Sequence, residues 1–233
     1  IADQNGFVVC YPQGTSDQYN NNFWNVGYAF HGNQTVDDVG FLTSLATYLQ
    51  NEYSLSLQST FSTGMSNGGD MSYMLACQAH DIFSAIAPVA GSMMESIYDS
   101  CDGVPVPVLE IHGTNDNTTL WDGDMENNDG WGAYLSTLDA IDYWVDVNDC
   151  QESEDINLPN TDFSDGSYVI NHRYYDCAQN NEVWLYEVVN GGHDWPGAYG
   201  NMDIDASSEI WKFLEPFTFT VGDVNQDNIL NIL

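Results

Sequence analysis

Short apolar runs, rich in β-branched residues, alternate with helical patterns along the 233-residue chain. Apolar positions at 39, 42, 45, 46 and 49 follow Asp37 and Asp38 at helical spacing, and acidic residues in a first turn suit the helix dipole. The pattern predicts strands over residues 6–11, 59–63, 83–89, 104–112, 168–175 and 182–189, and further helices over 71–77, 139–147 and 206–214. Residues 15–34 show no period and indicate a loop. This alternation is typical of an α/β fold, with a mostly parallel central sheet flanked by helices.

The composition of the chain changes near residue 217. Pro216 is followed by a short run of alternating Phe and Thr and then by a segment rich in Gly, Asn and Asp. A chain of this length is expected to form one domain, or one domain with a small appendage. We therefore expect an α/β domain over residues 1–217, and a linker with a short appendage over 218–233.

The charge of the chain is strongly one-sided. Two basic residues, Arg173 and Lys212, stand against 35 acidic ones, so the formal net charge is -33. This balance excludes binding to DNA or RNA through the phosphate backbone, and it argues against docking on an anionic membrane. No run of about 18 apolar residues exists that could span a bilayer. Two explanations fit the acidity. One is a saline habitat, where salt screens the self-repulsion of the chain, and the other is a secreted protein selected for solubility.

The five cysteines indicate the redox compartment. None forms a C-x-x-C pair, so no zinc pattern is present. Cys77, Cys101, Cys150 and Cys177 could form two disulfides in an oxidising compartment, although a buried free thiol is the alternative for each. Cys10 lies in the apolar run 6–11, and we expect it to be a buried strand thiol.

A candidate nucleophile lies between a predicted strand and a predicted helix. The segment Gly64-Met65-Ser66-Asn67-Gly68 fits the pattern G-x-S-x-G. In this context the serine lies on a sharp turn that holds its hydroxyl above the sheet. The backbone N–H of the next residue, Asn67, then lies at the helix N-terminus and can stabilise an oxyanion. An ordinary Gly-rich turn is the alternative.

An acid and a base are expected further along the chain, each in a loop after a strand. Asp116 follows the strand predicted over 104–112, and His193 follows the strand predicted over 182–189. Ser66, Asp116 and His193 are therefore the predicted triad. A turn-capping role is the alternative for Asp116, with Asp122 and Asp124 as rivals for the acid. A loop histidine bonded to backbone is the alternative for His193.

Other side chains have weaker assignments. His112 ends a strand, and we expect it to pack or to orient a loop. His31, His80 and His172 have no matching partner in the sequence and are predicted to be structural or on the surface. Trp24, Trp121 and Trp195 could form the walls of an aromatic acyl site, with ordinary packing as the alternative for each.

Five segments together resemble the polyhydroxybutyrate depolymerase/feruloyl esterase family of secreted α/β-hydrolases, over about residues 1–214. In order, they are Ala2-Asp3 through Gly6-Phe7-Val8-Val9 with Tyr11-Pro12, Val36-Asp37-Asp38-Val39-Gly40-Phe41, Gly64-Met65-Ser66-Asn67-Gly68-Gly69, Pro107-Val108 through His112-Gly113-Thr114 with Asp116, and Gly191-Gly192-His193 with Trp195-Pro196-Gly197.

The resemblance implies Ser66 as nucleophile, Asp116 as acid and His193 as base. It implies secretion and the hydrolysis of aromatic esters or polyesters. It also implies a Cys150–Cys177 disulfide and, by a similar argument, a Cys77–Cys101 disulfide.

The chain departs from the family pattern at its N-terminus. Members of the family carry an earlier strand that ends in a His-Gly loop, which supplies the second oxyanion donor. That segment would precede Ile1, and its strand would lie between the strand predicted over 6–11 and the strand before Ser66. We therefore expect an α/β-hydrolase domain without its N-terminal strands, as in a fragment of a longer reading frame.

The second departure lies at the C-terminus. Asp223, Asn225, Asp227 and Asn231 occupy positions 1, 3, 5 and 9 of a calcium loop, which resembles the first half of a dockerin-type repeat. Position 12 falls one residue after Leu233, so weak calcium binding is expected, and an Asn/Asp-rich turn is the alternative. The resemblance implies an anchoring partner for the tail in a full-length protein.

The sequence thus predicts a secreted serine esterase that acts by two-step acyl transfer and needs no cofactor for catalysis. The expected substrates are feruloyl or other aromatic esters, or polyesters of the polyhydroxyalkanoate type. Two alternatives remain open. One is an esterase of acetylated polysaccharide, and the other is a weakly active or inactive scaffold with a binding role.

Overall fold

The computed structural model describes residues 1–17, 20–32 and 34–218. The helices of four or more residues are α1 Ala2–Asn5, α2 Asp38–Tyr53, α3 Asn67–Gln78, α4 Glu95–Asp99, α5 Thr137–Val147 and α6 Ala206–Leu214. The strands are β1 Thr15–Ser16, β2 Asn22–Phe23, β3 Phe61–Met65, β4 Ala85–Val89, β5 Val108–Gly113, β6 Glu152–Asn157, β7 Tyr168–Tyr175 and β8 Val183–Val189. Short 3₁₀ turns cover Ala29–His31, Ala178–Asn180 and Glu215–Phe217.

The centre of the fold is a six-stranded sheet in the order β3-β4-β5-β8-β7-β6. The pairs β3–β4, β4–β5 and β5–β8 are parallel. The pairs β8–β7 and β7–β6 are antiparallel. The predicted α/β fold with a mostly parallel central sheet is therefore confirmed, and the antiparallel strands are confined to one edge.

Both faces of the sheet are covered, as expected for parallel strands. Val183 and Leu185 of β8 join one apolar cluster, whereas Tyr186 and Val188 of the same strand join the other. The first cluster contains the buried residues of α3 and α5, including Trp144, and the second contains those of α6. The alternation along β8 therefore places α3 and α5 on one side of the sheet and α6 on the other.

Most predicted elements are confirmed, with shifts of a few residues at their ends. β7 and α6 have the predicted bounds, and the helix predicted after Asp37 is α2. The Asp37 side chain caps this helix by accepting a hydrogen bond from the Gly40 N–H. The sequence pattern missed β6, because all six of its residues are exposed and they form no apolar run.

The strand predicted over residues 6–11 is wrong. The described residues place no strand there, Tyr11 is 90% exposed, and the predicted buried thiol of Cys10 is exposed. A strand needs a neighbour that satisfies its backbone groups and covers its side chains. β3 is the outermost strand of the described sheet and pairs with β4 alone. In the strand order that the family resemblance implies, another strand lies between β3 and residues 6–11, and the described residues contain no such strand. Phe7 instead stacks on Trp211, with ring centroids 4.3 Å apart.

Both predicted disulfides are confirmed. Cys77, in α3, is bonded to Cys101, which follows α4. Cys150 is bonded to Cys177, and the pair ties the start of β6 to the end of β7. These bonds close loops with sequence separations of 24 and 27 residues.

Removal of the Cys150–Cys177 bond by a double Cys→Ala change is expected to lower the free energy of unfolding by about 3.5 kcal/mol. The bond closes a loop of 27 residues, and its loss restores the conformational freedom of that loop in the unfolded chain. Urea unfolding followed by circular dichroism measures the change. The matched control is Cys10→Ala, which removes an exposed free thiol and is expected to leave the stability unchanged. Equal stability of the double variant and the parent would contradict the prediction.

In the described ranges, no helix has both the length and the apolar character that a membrane crossing requires. The predicted domain boundary near residue 217 falls at the end of these ranges. The calcium-loop candidates Asp223, Asn225, Asp227 and Asn231 lie outside them.

Candidate active site

Ser66 lies on a sharp turn between β3 and α3. Its backbone has φ 56° and ψ -123°, a conformation that is strained for a residue with a side chain. The Ser66 N–H donates to the Val89 carbonyl oxygen at 2.9 Å, which ties the turn to the end of β4. The turn also requires glycine, because a Cβ atom on Gly64 would lie 2.6 Å from the Gly68 carbonyl carbon. The G-x-S-x-G segment therefore has the strand–turn–helix context in which a serine hydroxyl is presented above a sheet.

Asn67 is the first residue of α3, and its backbone N–H belongs to the first turn of the helix, which lacks intrahelical acceptors. Its side chain has a separate role. Asn67 Oδ1 accepts from the Trp24 N–H at 2.7 Å, and Asn67 Nδ2 donates to the Trp24 carbonyl oxygen at 3.0 Å. The side chain thus holds the loop around Trp24 beside the turn.

Asp116 and His193 form a direct hydrogen-bonded pair. His193 Nδ1 lies 2.7 Å from Asp116 Oδ2, although 77 residues separate the two in the chain. Asp116 Oδ1 accepts from the N–H groups of Thr118 at 2.7 Å and Thr119 at 2.9 Å. Burial alone would raise the pKa of Asp116, but these hydrogen bonds, with that from His193, hold it below its usual value. The carboxylate is therefore charged and accepts in a fixed orientation.

The close approach of two loops creates this pair. Asp116 follows β5 and His193 follows β8, and these strands are parallel neighbours in the sheet. A Cβ atom on Gly113 would lie 2.4 Å from the carbonyl oxygens of both Gly191 and Gly192, so only glycine permits the contact. The carboxyl ends of adjacent parallel strands meet at one edge of the sheet, which is where such folds build their sites.

Ser66 lies at the same edge and lines a small cavity. The other lining residues are Tyr28, Ser92, Thr118, Thr119, Trp131 and Tyr134. The cavity volume is about 10 Å³, which is room for about one water molecule. Among the described residues, no hydrogen bond joins the Ser66 hydroxyl to His193.

The aromatic walls of the cavity differ from those expected from the sequence. Trp24, Trp121 and Trp195 are not among the lining residues. Trp121 lies edge-on to His112 with ring centroids 6.0 Å apart, and Trp195 Nε1 donates to the Ser207 hydroxyl at 3.3 Å. Trp24 is held by the Asn67 side chain, as described above.

Sequence patterns missed the aromatic residues that line the cavity. Tyr28 lies in a loop whose richness in aromatic residues was the available signal. Trp131 lies in a polar segment after Asn127 and Asn128, where nothing in the sequence distinguished it from a surface residue. The ring of Tyr28 meets that of Trp131 edge-on, with centroids 5.2 Å apart.

A buried carboxyl holds two walls of the cavity together. Asp70 Oδ2 accepts from the Tyr28 hydroxyl at 2.5 Å, and Asp70 Oδ1 accepts from the Ser92 N–H at 2.6 Å and from the Ser92 hydroxyl at 3.1 Å. Burial raises the pKa of Asp70 to about 6. Asp70 therefore orients the two hydroxyl groups that border Ser66.

The rival acids have different environments. Asp122 is exposed, and Asp124 accepts hydrogen bonds from the N–H groups of Asn128 and Asp129 within its own loop. Neither is hydrogen-bonded to His193. Among the described residues, no group of three or more His, Cys, Asp or Glu side chains is placed to hold a metal ion.

Comparisons with known proteins agree with this architecture. The model of the prolyl oligopeptidase family matches residues 1–119. Feruloyl esterase C of Emericella nidulans is 30% identical over 201 residues, which cover 81% of this chain and 60% of that protein. Poly(3-hydroxybutyrate) depolymerase of Ralstonia pickettii is 33% identical over 93 residues, or 39% of this chain and 19% of that protein. The chain thus spans less than two thirds of the length of either relative.

A solved structure supports the fold. An acetyl xylan esterase from Aspergillus awamori superposes with a TM-score of 0.58 at 15% identity, over 93% of this chain and 80% of that one. This likeness shows the fold alone. The sequence relatives confirm the resemblance to feruloyl esterases and depolymerases that the five segments indicated. Because the family model covers just over half of the chain, including the turn at Ser66, the chain belongs to the prolyl oligopeptidase family.

Proposed function

We propose that this chain is a serine hydrolase of carboxylic esters. The observation that carries the proposal is the 2.7 Å bond between His193 and Asp116 at the sheet edge where Ser66 lies on its strained turn. A nucleophile, a base and an acid that orients the base are the three parts that acyl transfer through serine requires. The names of the feruloyl esterase and depolymerase relatives support an ester as the bond that is cleaved.

The proposed reaction has two steps. In the first, His193 Nε2 takes the proton of Ser66 as Ser66 Oγ bonds to the ester carbonyl carbon, and the same proton then leaves with the alcohol as the C–O bond breaks. The Asn67 N–H donates to the oxyanion that forms between these events. In the second, His193 takes a proton from water, which attacks the acyl-serine, and the acid is released as Ser66 regains its proton. Asp116 keeps the Nδ1 proton on His193 throughout.

The proposed substrate class is feruloyl or other aromatic esters, or polyesters of the hydroxyalkanoate type. The aromatic side chains of Tyr28, Trp131 and Tyr134 beside Ser66 support a flat acyl group. An acetylated polysaccharide is the second candidate, and the small size of the cavity favours it, since about 10 Å³ admits a bulky acyl group only after the walls move.

The proposed setting is extracellular, because the two disulfides suit an oxidising compartment. The mechanism uses side chains, backbone N–H groups and water, with no cofactor. An ester substrate is the proposed partner. With 35 acidic residues and a net charge of -33, the chain is expected to favour neutral esters over anionic ones.

The experiment combines an active-site label with a set of esters. The protein is treated with a fluorophosphonate probe, and the labelled peptide is identified by mass spectrometry. Hydrolysis of p-nitrophenyl acetate, methyl ferulate, acetylated xylan and polyhydroxybutyrate is then measured in low salt and in about 1 M salt, with and without EDTA. Labelling at Ser66 is expected, with turnover of at least one ester and no loss in EDTA. Preference for methyl ferulate or for acetylated xylan decides between the two substrate candidates.

The result that would contradict the proposal is a protein that is folded by circular dichroism but neither takes the label at Ser66 nor cleaves any of the esters. That outcome would favour the remaining alternative from the sequence, a hydrolase scaffold with a binding role.

A further inference from the structure

A second pair of charged side chains lies directly behind Asp116. Glu110 and His112 are alternate residues of β5, so their side chains leave the strand on the same face. Both are buried, with 0% and 1% of their surface exposed. His112 Nδ1 lies 2.9 Å from Glu110 Oε1. A buried charge is tolerated only when it is paired and hydrogen-bonded, so the partners of each polar atom bear on the protonation of this pair.

The surroundings of Glu110 match an ionised carboxylate. Oε1 accepts from the Gly91 N–H at 3.2 Å, and Oε2 accepts from the Tyr73 hydroxyl at 3.0 Å. The third contact is His112 Nδ1, on the oxygen that already accepts from Gly91. Burial raises the pKa of Glu110, and the hydrogen bonds from His112, Tyr73 and Gly91 oppose that rise by stabilising the charged form. A carboxylate can accept all three hydrogen bonds, whereas a protonated carboxyl would have to donate at one of its contacts.

The surroundings of His112 match a doubly protonated ring. His112 Nε2 lies 2.9 Å from the Thr119 carbonyl oxygen, which can only accept, so Nε2 carries a hydrogen. Nδ1 faces Glu110 Oε1, and the proton between these two atoms lies on Nδ1 when Glu110 is ionised. Burial alone would lower the pKa of His112, but the hydrogen bond and charge of Glu110 raise it above the usual value. An ionised Glu110 and the raised pKa of His112 together make the ring an imidazolium that donates from both nitrogens.

We propose that Glu110 and His112 form a buried ion pair that positions Asp116 for its work on His193, an inference that rests on the proposed function. His112 Nε2 lies 3.7 Å from Asp116 Oδ2, the oxygen that receives the His193 hydrogen bond. His112 Nε2 also donates a hydrogen bond to the Thr119 carbonyl oxygen, and the Thr119 N–H donates to Asp116 Oδ1. His112 thus acts on Asp116 through its charge and through the turn that carries Thr119. Both members of the pair are positioning residues, since neither contacts Ser66.

The positive charge of His112 lies among several acidic groups and therefore affects the protonation of the groups near it. His112 faces the carboxyl groups of Glu110 and Asp116, and Glu110 also faces Asp70 and Tyr73 of α3. Asp116 in turn faces Tyr134 and His193, which lies on the loop after β8. Three of these groups are carboxyl groups, and His112 supplies a buried positive charge among them. Loss of that charge favours the protonated form of His193, which cannot act as a base.

The first experiment reads the protonation of His112 directly in the unaltered protein. With ¹⁵N-labelled histidine, NMR distinguishes an imidazolium from either neutral tautomer, and the signal of His112 is assigned by its loss in His112→Gln. Both ring nitrogens of His112 are expected to be protonated at pH 7, because Glu110 raises the pKa of the ring above its usual value. An unprotonated ring nitrogen of His112 at pH 7 would overturn the proposal. This measurement is made on the unaltered protein and is independent of catalysis.

The second experiment compares the pH dependence of kcat/KM in His112→Gln and in the matched control His172→Gln. His172 also lies between two carboxylates, Asp155 at 2.7 Å and Glu187 at 2.9 Å, but it contacts neither Asp116 nor His193. The His112 variant is expected to lose at least about tenfold in kcat/KM, with its acid limb moved by about one unit to higher pH. The His172→Gln control is expected to keep the kcat/KM of the parent protein and the position of its acid limb.

Two outcomes separate this inference from the proposed function. An unshifted acid limb in a folded, active His112→Gln variant would overturn the positioning role and leave the esterase proposal intact. A parent protein that hydrolyses no ester would overturn the proposed function, whereas the NMR result would still decide whether the ion pair exists.

Discussion

Ser66→Ala is expected to lower kcat for ester hydrolysis by at least about 10⁴-fold and to leave the protein folded. The substitution removes the oxygen that bonds to the acyl carbon, so no acyl-enzyme can form, and only binding and the Asn67 donor remain. The strained backbone at φ 56° is not made worse, because alanine carries the same Cβ atom as serine. The change in the free energy of unfolding is expected to stay within about 1 kcal/mol.

Steady-state hydrolysis of the preferred ester, with purity checked by the loss of fluorophosphonate labelling, measures this effect. Ser92→Ala is the matched control, since Ser92 lines the same cavity and undergoes the same loss of a hydroxyl group. It is expected to lose no more than about tenfold, because its hydroxyl donates to Asp70 and orients a wall of the cavity. Retention of more than a few per cent of parent activity in Ser66→Ala would exclude Ser66 as the nucleophile.

Asp116→Asn is expected to lower kcat by about 10³- to 10⁴-fold with little change in KM. The N–H groups of Thr118 and Thr119 both donate to Asp116 Oδ1, so the atom at that position must be a hydrogen-bond acceptor. The asparagine oxygen must take that place, so its amide NH₂ faces His193 Nδ1. Two donors cannot share a hydrogen bond, and His193 then favours the tautomer with its proton on Nε2, where it cannot accept the Ser66 proton.

Asp122→Asn is the control for the acid, because Asp122 is an exposed rival in the sequence, and the same substitution there is expected to change kcat by less than twofold. The pH dependence offers a further check. The pKa of Asp116 lies below its usual value, so the carboxylate is charged throughout the neutral range, and the loss in Asp116→Asn is expected at every pH at which the parent is active. A large loss in Asp122→Asn with a small one in Asp116→Asn would reverse the assignment.

Elements with strong local patterns were predictable. β7 and α6 have the predicted bounds, because each contains a clear period and ends at polar residues or a proline. Residues 6–11 have an equally apolar pattern, yet they form no strand, since a strand depends on a neighbour that the local pattern does not encode. β6 is the opposite case, a strand whose six residues are all exposed and form no apolar run, and which is held by its pairing with β7.

The sequence by itself determined the α/β class, the G-x-S-x-G turn at Ser66 and the residues that bear the candidate chemistry. Each depends on spacing over a few residues, where the backbone imposes the geometry. Tertiary structure alone decided what faces Ser66. The order of β5 and β8 in the sheet joins Asp116 to His193 across 77 residues. The path of the loop between β5 and α5 places Trp131, rather than the predicted tryptophans, at the cavity. Packing also surrounded His112 with acceptors on both nitrogens, since the charge of a buried group depends on partners from elements far apart in the chain.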